Sequence, residues 1–200
     1  MFHTHTTTAR HALAAILLLT FFSCRKVNSA PPMEEGMDYI DFKSREIKAG
    51  APGFSFDMNG DGRKDILFFT MLVGDPINQV DKLQFLIGSN IEVNLPVRPS
   101  EEIPVMQQGD QIKPGDFDGY AWYQLSSVVL VQKIMSMTEP PQWEGHWRDA
   151  VHRFAPYQVV EGNNRYSGWV ELTVDIPNER IVLHRAALSR VPNKIIAAGQ

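Results

Sequence analysis

Among the 200 residues there is one cysteine, Cys24. A single thiol excludes an internal disulfide framework. Basic excess is also missing: 19 Lys and Arg against 23 Asp and Glu give a net charge of -4, no footprint for nucleic acid. Apolar runs are short, and none approaches the ~20 residues that a spanning helix needs. No GxSxG elbow, HExxH helix or GxxxxGK[ST] phosphate loop is present. Internal repeats are lacking too, which leaves one domain's worth of chain able to bury a real core.

What is there begins with "MFHTHTTTARHALAAILLLTFFSC". Arg10 precedes an apolar run from Ala12 to Phe22, followed by Ser23 and Cys24, the order of a secretory signal. With the cysteine at the cleavage point, residues 1–23 resemble the bacterial lipoprotein signal, with Phe21 where leucine is usual. The resemblance implies acylation of Cys24, membrane attachment through it, and a place in the bacterial cell envelope, on the outer membrane. An ordinary cleaved signal and an uncleaved anchor are the alternatives. Residues 24–37, polar and proline-containing, are expected to be a flexible tether.

From residue 38 the pattern is mostly strand. "DYIDFKSREI" alternates with period two, and "DILFFTMLVG" (65–74) is a continuous apolar run expected to be a buried central strand. Residues 82–97 read as two strands around a turn at "SN", and residues 123–135 as another strand by their valines, with a helix as the alternative. In 143–154, Trp147, Ala150, Val151 and Phe154 fall at helical spacing and predict a short helix. In the late strand "RYSGWVELTVDIP", Val170, Leu172, Val174 and Ile176 share one face and Trp169, Glu171, Thr173 and Asp175 the other. "NERIVLHRAALS" follows it as a further strand. Short strands divided by Gly, Pro and Asn turns predict a mainly β fold, a single antiparallel β-sandwich or jelly-roll-like domain over 38–200.

The most pointed stretch is "FSFDMNGDGRKDI" (54–66). Asp57, Asn59, Asp61 and Asp65 take positions 1, 3, 5 and 9 of a loop that Gly60 and Gly62 allow to wind tightly, and the Arg63 carbonyl stands at position 7. Hard oxygen donors in that number suit Ca²⁺, and close carboxylates repel one another unless a cation neutralises them. Phe68 replaces the glutamate at position 12 of an EF-hand, and the flanks are strands. The segment resembles the shorter DxNxDGxxD calcium loops of dockerins, thrombospondin type 3 repeats and FG-GAP-type repeats. The competing reading is an Asx-rich turn held by side-chain to backbone hydrogen bonds. Asp116 and Asp118 of "GDFDGY" could complete a metal shell or merely shape their own turn.

The stretch from "YSGWVELTVDIP" to "IIAAG" is similar to the tail of many exported bacterial β-sandwich domains that also carry a DxNxDG loop. That similarity implies a fold rather than an activity. The leading expectation is a non-enzymatic, membrane-anchored binding or structural module, calcium-stabilised, with a glycan or another envelope protein as partner. A carbohydrate-binding module is the alternative, prompted by Tyr120, Trp122, Tyr123, Trp143, Trp147 and Trp169, with Trp169 as the candidate platform. Core packing of these rings is the competing expectation, and the one favoured for Trp169. A glycosidase would draw its two carboxylates from Glu101, Glu102, Asp116, Asp118 and Glu144. His146, His152 and His184 fit no familiar zinc spacing with Glu144 and are expected to be solvated or hydrogen-bonded.

Overall fold

The computed structural model describes Met1 and residues 34–200. The expected signal, Cys24 and the expected tether up to residue 33 lie outside the described residues. Two compact units, Met1–Ala30 and Pro31–Gln200, divide the chain.

The regular secondary structure of the larger unit is all strand apart from one 3₁₀ turn at Ile176–Asn178, with no α-helix among the described residues. In chain order the strands are β1 (Met37–Lys48), β2 (Phe54–Phe56), β3 (Ile66–Asp75), β4 (Val80–Ser89), β5 (Val93–Val97), β6 (Gln111–Ile112) and β7 (Ala121–Gln124). They continue as β8 (Ser127–Ser136), β9 (Gln142–Glu144), β10 (Arg153–Glu161), β11 (Asn164–Asp175), β12 (Arg180–Ser189) and β13 (Ile196–Ala197). A six-stranded sheet runs β1-β12-β11-β10-β5-β7, a five-stranded sheet β2-β3-β4-β8-β9, and β13 and β6 form a small third pair. All pairings are antiparallel. The main core lies between the two large sheets and includes Phe68, Phe85, Ile87, Leu95, Leu130, Tyr157, Leu172 and Leu183. This is the sandwich that the alternating strands predict.

Three local expectations are corrected, and of the two readings of Trp169 the favoured one, burial, is found. Residues 34–37 belong to the folded domain and not to the tether. Met37 is buried, the Glu34 amide donates to the Tyr39 hydroxyl at 2.7 Å, and Arg190 N donates to Gly36 O.

β3 is not a buried central strand. Its neighbour β2 pairs only with Ile66–Phe68, and Leu67, Met71 and Leu72 are exposed. A continuous apolar run fixed the strand but not its place in the sheet.

The helix over 143–154 does not form. Trp147 and Ala150 enter the main core, whereas Phe154 enters a second cluster. Their helical spacing is coincidental, because the side chains serve different cores. Gly145 has φ +125, and a Cβ there would meet Leu130 O at 2.7 Å, so the chain needs glycine to turn against β8.

Trp169 is not a surface platform. The alternation of β11 is as expected, with Val170, Leu172 and Val174 in the main core and Trp169 on the opposite face. That opposite face is covered at this level by Met37, Met106, Ile112, Phe117, Tyr120 and Ile196, partly carried by the β6–β13 pair. Trp169 is 0% exposed, with the Phe154 ring edge-on at 5.2 Å and the Arg185 guanidinium 5.0 Å from its centre. Trp169→Ala should therefore destabilise the domain by ~3–5 kcal/mol. Tyr123→Ala, at an exposed ring, should stay within ~0.5 kcal/mol. Thermal melting of the two variants checks this, and equal losses would contradict it.

Candidate functional site

The loop between β2 and β3 is closed by its own side chains. Asp57 Oδ1 accepts from Gly60 N at 2.7 Å and Oδ2 from Gly62 N at 2.8 Å. Asn59 Oδ1 accepts from Asp61 N at 3.2 Å, and Asp61 Oδ1 from Arg63 N at 2.7 Å. Gly60 and Gly62 both have positive φ, the conformation their lack of Cβ makes cheap. Each candidate ligand at positions 1, 3 and 5 is thus oriented by a backbone amide further along the loop.

Asp65 differs from the others. It is 1% exposed, while Asp61 at the loop tip is exposed. Its Oδ2 accepts from Met58 N at 2.6 Å, and its Oδ1 is buried with no partner. Burial raises its carboxyl above the usual carboxylate range, and the nearby charges of Asp57 and Asp61 add to that against the amide hydrogen bonds. Its backbone is equally committed. Asp65 N donates to Phe56 O at 2.8 Å, and Asp65 O accepts from Asn90 N at 3.1 Å. Asn90 Nδ2 donates to Lys64 O at 3.0 Å, and the Arg63 guanidinium pairs with Glu92. Asn90 and Glu92 escaped the sequence reading, which took "SN" only as a turn. The one available signal was an Asn and a Glu flanking the entry to β5.

Among the described residues, no group of three or more His, Cys, Asp or Glu side chains is gathered to hold a metal. Asp57, Asp61 and Asp65 share one loop, and each gives at least one carboxylate oxygen to a backbone amide. Asp116 and Asp118 do not join them: no hydrogen bond or ion pair among the described residues links either to the loop. Asp116 Oδ1 accepts from Trp122 N at 3.1 Å, and Phe117 and Tyr120 pair across the turn that contains Asp118. Asp116 shapes its own turn, and Asp118 lies in that turn with φ 49 and its carboxylate 3.9 Å from Lys113 Nζ.

The other candidates scatter. Glu101 and Glu102 line a cavity of about 570 Å³ with Gln132 and His146, and Glu102 is held by the Ser100 hydroxyl at 3.0 Å. Asp118 lines a different groove with Arg98, Lys113 and Tyr120, and Glu144 sits on β9. Of the six aromatics that suggested glycan binding, Tyr123 alone is exposed. His152 and His184 are hydrogen-bonded, whereas His146 is exposed. An open apolar groove of about 700 Å³ lies by Ala49–Pro52, Leu72, Leu83 and Met135, with the Thr70 hydroxyl its one polar side chain. Comparison with known protein families, with curated proteins and with solved structures returned no match.

The raised carboxyl of Asp65 gives a signed expectation for the metal-free protein. A folded pKa above the unfolded value stabilises at acid pH, and that contribution is lost as pH rises from ~3.9 through the folded value. Asp65→Asn keeps an acceptor for Met58 N and removes the charge. It should flatten this part of the pH–stability curve, measured in chelator. Curves of the wild type and of the Asp65→Asn variant that run parallel from pH ~3.5 to ~7 would refute it.

Proposed function

We propose that this chain is a non-enzymatic exported module, lipid-anchored through Cys24, whose β-sandwich is stabilised by Ca²⁺ bound in the 57–65 loop. The observation that carries the calcium reading is Asp65 Oδ1, a buried carboxylate oxygen with no partner. A buried charge without a counter-charge is costly, and a cation beside it removes that cost. Asp57, Asn59, Asp61 and the Arg63 carbonyl supply further oxygens from the same turn. The donor set holds oxygen alone, which suits a hard cation and not zinc. Amide bonds to Asp57, Asn59 and Asp61 leave further lone pairs on those oxygens for an ion.

The role of such an ion is mechanical. The loop is bonded to Asn90 and Glu92, at the point where the chain leaves β4 for β5 and so passes from one large sheet to the other. Binding there would tie three segments together. Sites of this kind in extracellular modules bind at ~10⁻⁴–10⁻³ M, and an ion at 100 times its dissociation constant stabilises by ~2.7 kcal/mol.

Chelator should lower the melting temperature of the full-length protein in detergent, and Ca²⁺ should restore it better than Mg²⁺. Asp57→Ala and Asp61→Ala should abolish that response, and Glu101→Ala, outside the loop, should preserve it. A wild-type melting curve indifferent to chelator leaves only the turn-shaping role. The anchor is tested separately: the wild type should incorporate labelled palmitate and partition into detergent, and Cys24→Ala should do neither. Two or more acyl chains are needed for stable attachment. Equal labelling of both proteins would refute the anchor without touching the calcium reading.

A further inference from the structure

The sequence of β3 and its place in the sheet disagree. "DILFFTMLVG" is an unbroken apolar run, the signature of a strand buried inside a sheet. Yet β4 is its one full-length neighbour among the described residues. On the other side β2 pairs with Ile66–Phe68 alone, so the edge from Phe69 to Asp75 has no strand beside it there. No backbone group of a turn or loop among the described residues bonds to it either.

A free edge is a template for pairing, and proteins usually blunt it with lysine, proline, a bulge or a cover. This one is left plain. Thr70, Met71, Leu72, Val73 and Gly74 carry neither charge nor proline, and the ladder with β4 runs from Ile66 to Asp75 without a register shift. Met71 and Leu72 point to opposite faces of the sheet, and both are exposed, Leu72 by 63%. Asp75, the one charge at the end of the strand, is already matched by Lys82 Nζ at 2.8 Å and held by Asn78 Nδ2 at 2.8 Å. On the Leu72 side, the edge opens into the apolar groove bounded by Ala49–Pro52, Leu83 and Met135.

We infer that the occupant of this edge is a second copy of the chain: two β3 strands pair antiparallel about a two-fold axis and join their five-stranded sheets into one sheet of ten. The edge is complementary to itself. A two-fold contact sets one patch against the same patch, and in every such register within Thr70–Gly74 only uncharged residues meet. Charge, which steers and selects unlike partners, is missing from these five residues.

The turns at the strand ends fit the same arrangement. Antiparallel pairing carries the β3–β4 turn of each copy toward the start of the other's open edge. Gly53 lies there against Phe68 and Phe69, and the uncharged loop Ala49–Pro52 leads into it. Ile77 in that turn is 92% exposed, and the loop of the other copy gives it an apolar neighbour. Pairing also moves β3 from the edge to the middle of a sheet, the place its composition matches. None of this rests on the calcium loop or the lipid anchor.

Light scattering on the full-length protein in detergent, with the detergent mass subtracted, should give two chains per particle. Leu72→Lys, at a side chain already exposed, sets like charges near the axis and should give one chain. Ile91→Lys, at an exposed apolar residue between β4 and β5, should keep two. In hydrogen exchange, alternate amides between Thr70 and Gly74 should exchange ~10-fold or more slowly in the wild type than in Leu72→Lys. If that variant does not fold, Met71→Glu, on the opposite face of the same edge, carries both expectations. A wild type with one chain per particle, or with more than two, overturns the proposal. A pair that the edge variants leave intact does so too. Slow Thr70–Gly74 amides in a monomeric particle would place the pairing within one chain, and a monomer that binds an extended peptide from another protein would assign the edge to that partner; either result overturns the second copy.

Discussion

The chain crosses between the two large sheets four times, after β1, β4, β7 and β9, and two of these crossings meet in one small region on which the aspartate loop also rests. β4 gives way to β5 at residues 89–93, and β7 to β8 at 125–126, each crossing passing from one sheet to the other. The crossings bond to each other, Ser89 Oγ donating to Leu125 O at 2.6 Å and Ser89 N to Ser126 O. Gly88 is required beside them, since a Cβ there would meet Ser126 O at 2.9 Å. Asp65 then ties the aspartate loop into the same place through Asn90. These two crossings are coupled, because moving one breaks the hydrogen bonds that Ser89 makes to the other. That is why a buried carboxylate is tolerated here: its backbone is fixed by the corner, and its side chain follows.

The second constraint is that the six-stranded sheet is covered on both faces where its strands are most apolar. β11 sends Leu172 inward and Trp169 outward, and both are 0% exposed. Gly168 makes this possible, because the Tyr157 ring and Ala187 O lie within 2.7 Å of where its Cβ would be. Tyr157 can then fill the site and donate its hydroxyl to Ala187 O at 3.1 Å. The covering layer leaves the outer face with two characters, an apolar part under β6 and β13 and a polar part carrying Glu171, Thr173 and His184. Arg185 joins them, with its guanidinium over Trp169 and its Nε on Glu171. Of the aromatics singled out in the sequence, Trp147, Trp169 and Tyr120 are buried in the two cores and Tyr123 is exposed.

Period-two alternation made the strands and the sandwich legible, because each face of a strand is a local property of a few consecutive residues. β11 was readable down to which side chains share a face. What decided burial was not local. β3 carries the apolar signature of a central strand, yet β2 is three residues long and leaves most of its edge unpaired. Trp147, Ala150 and Phe154 mimic a helical stripe because two different cores draw on one turn. In the site, the loop and its Asx-type bonds follow from spacing and glycine placement alone. The burial of Asp65 does not, since it is imposed by Asn90 and the crossing that follows β4. A bulge in β12 at His184, where the register with β11 passes from Glu171↔Arg185 to Leu172↔Leu183, was equally hidden, because register is a relation between strands and leaves no mark on either one.

The energetics of the loop also bear on what kind of calcium site it could be. Five side-chain to backbone bonds already hold it, each worth ~0.5–1.5 kcal/mol net. A turn so largely formed spends little ordering energy when an ion arrives, which favours binding. The ligands it offers are few, however, with Asp61 exposed and Phe68 at the place of a bidentate glutamate. Fewer charged ligands and an open rim both weaken affinity, so the ion would be held at extracellular calcium levels and released at much lower ones. A site of that strength suits a permanent brace in a calcium-rich medium. It is poorly suited to sensing, because the loop has little room to move: its far end is tied through Asn90 to the crossing from β4 to β5.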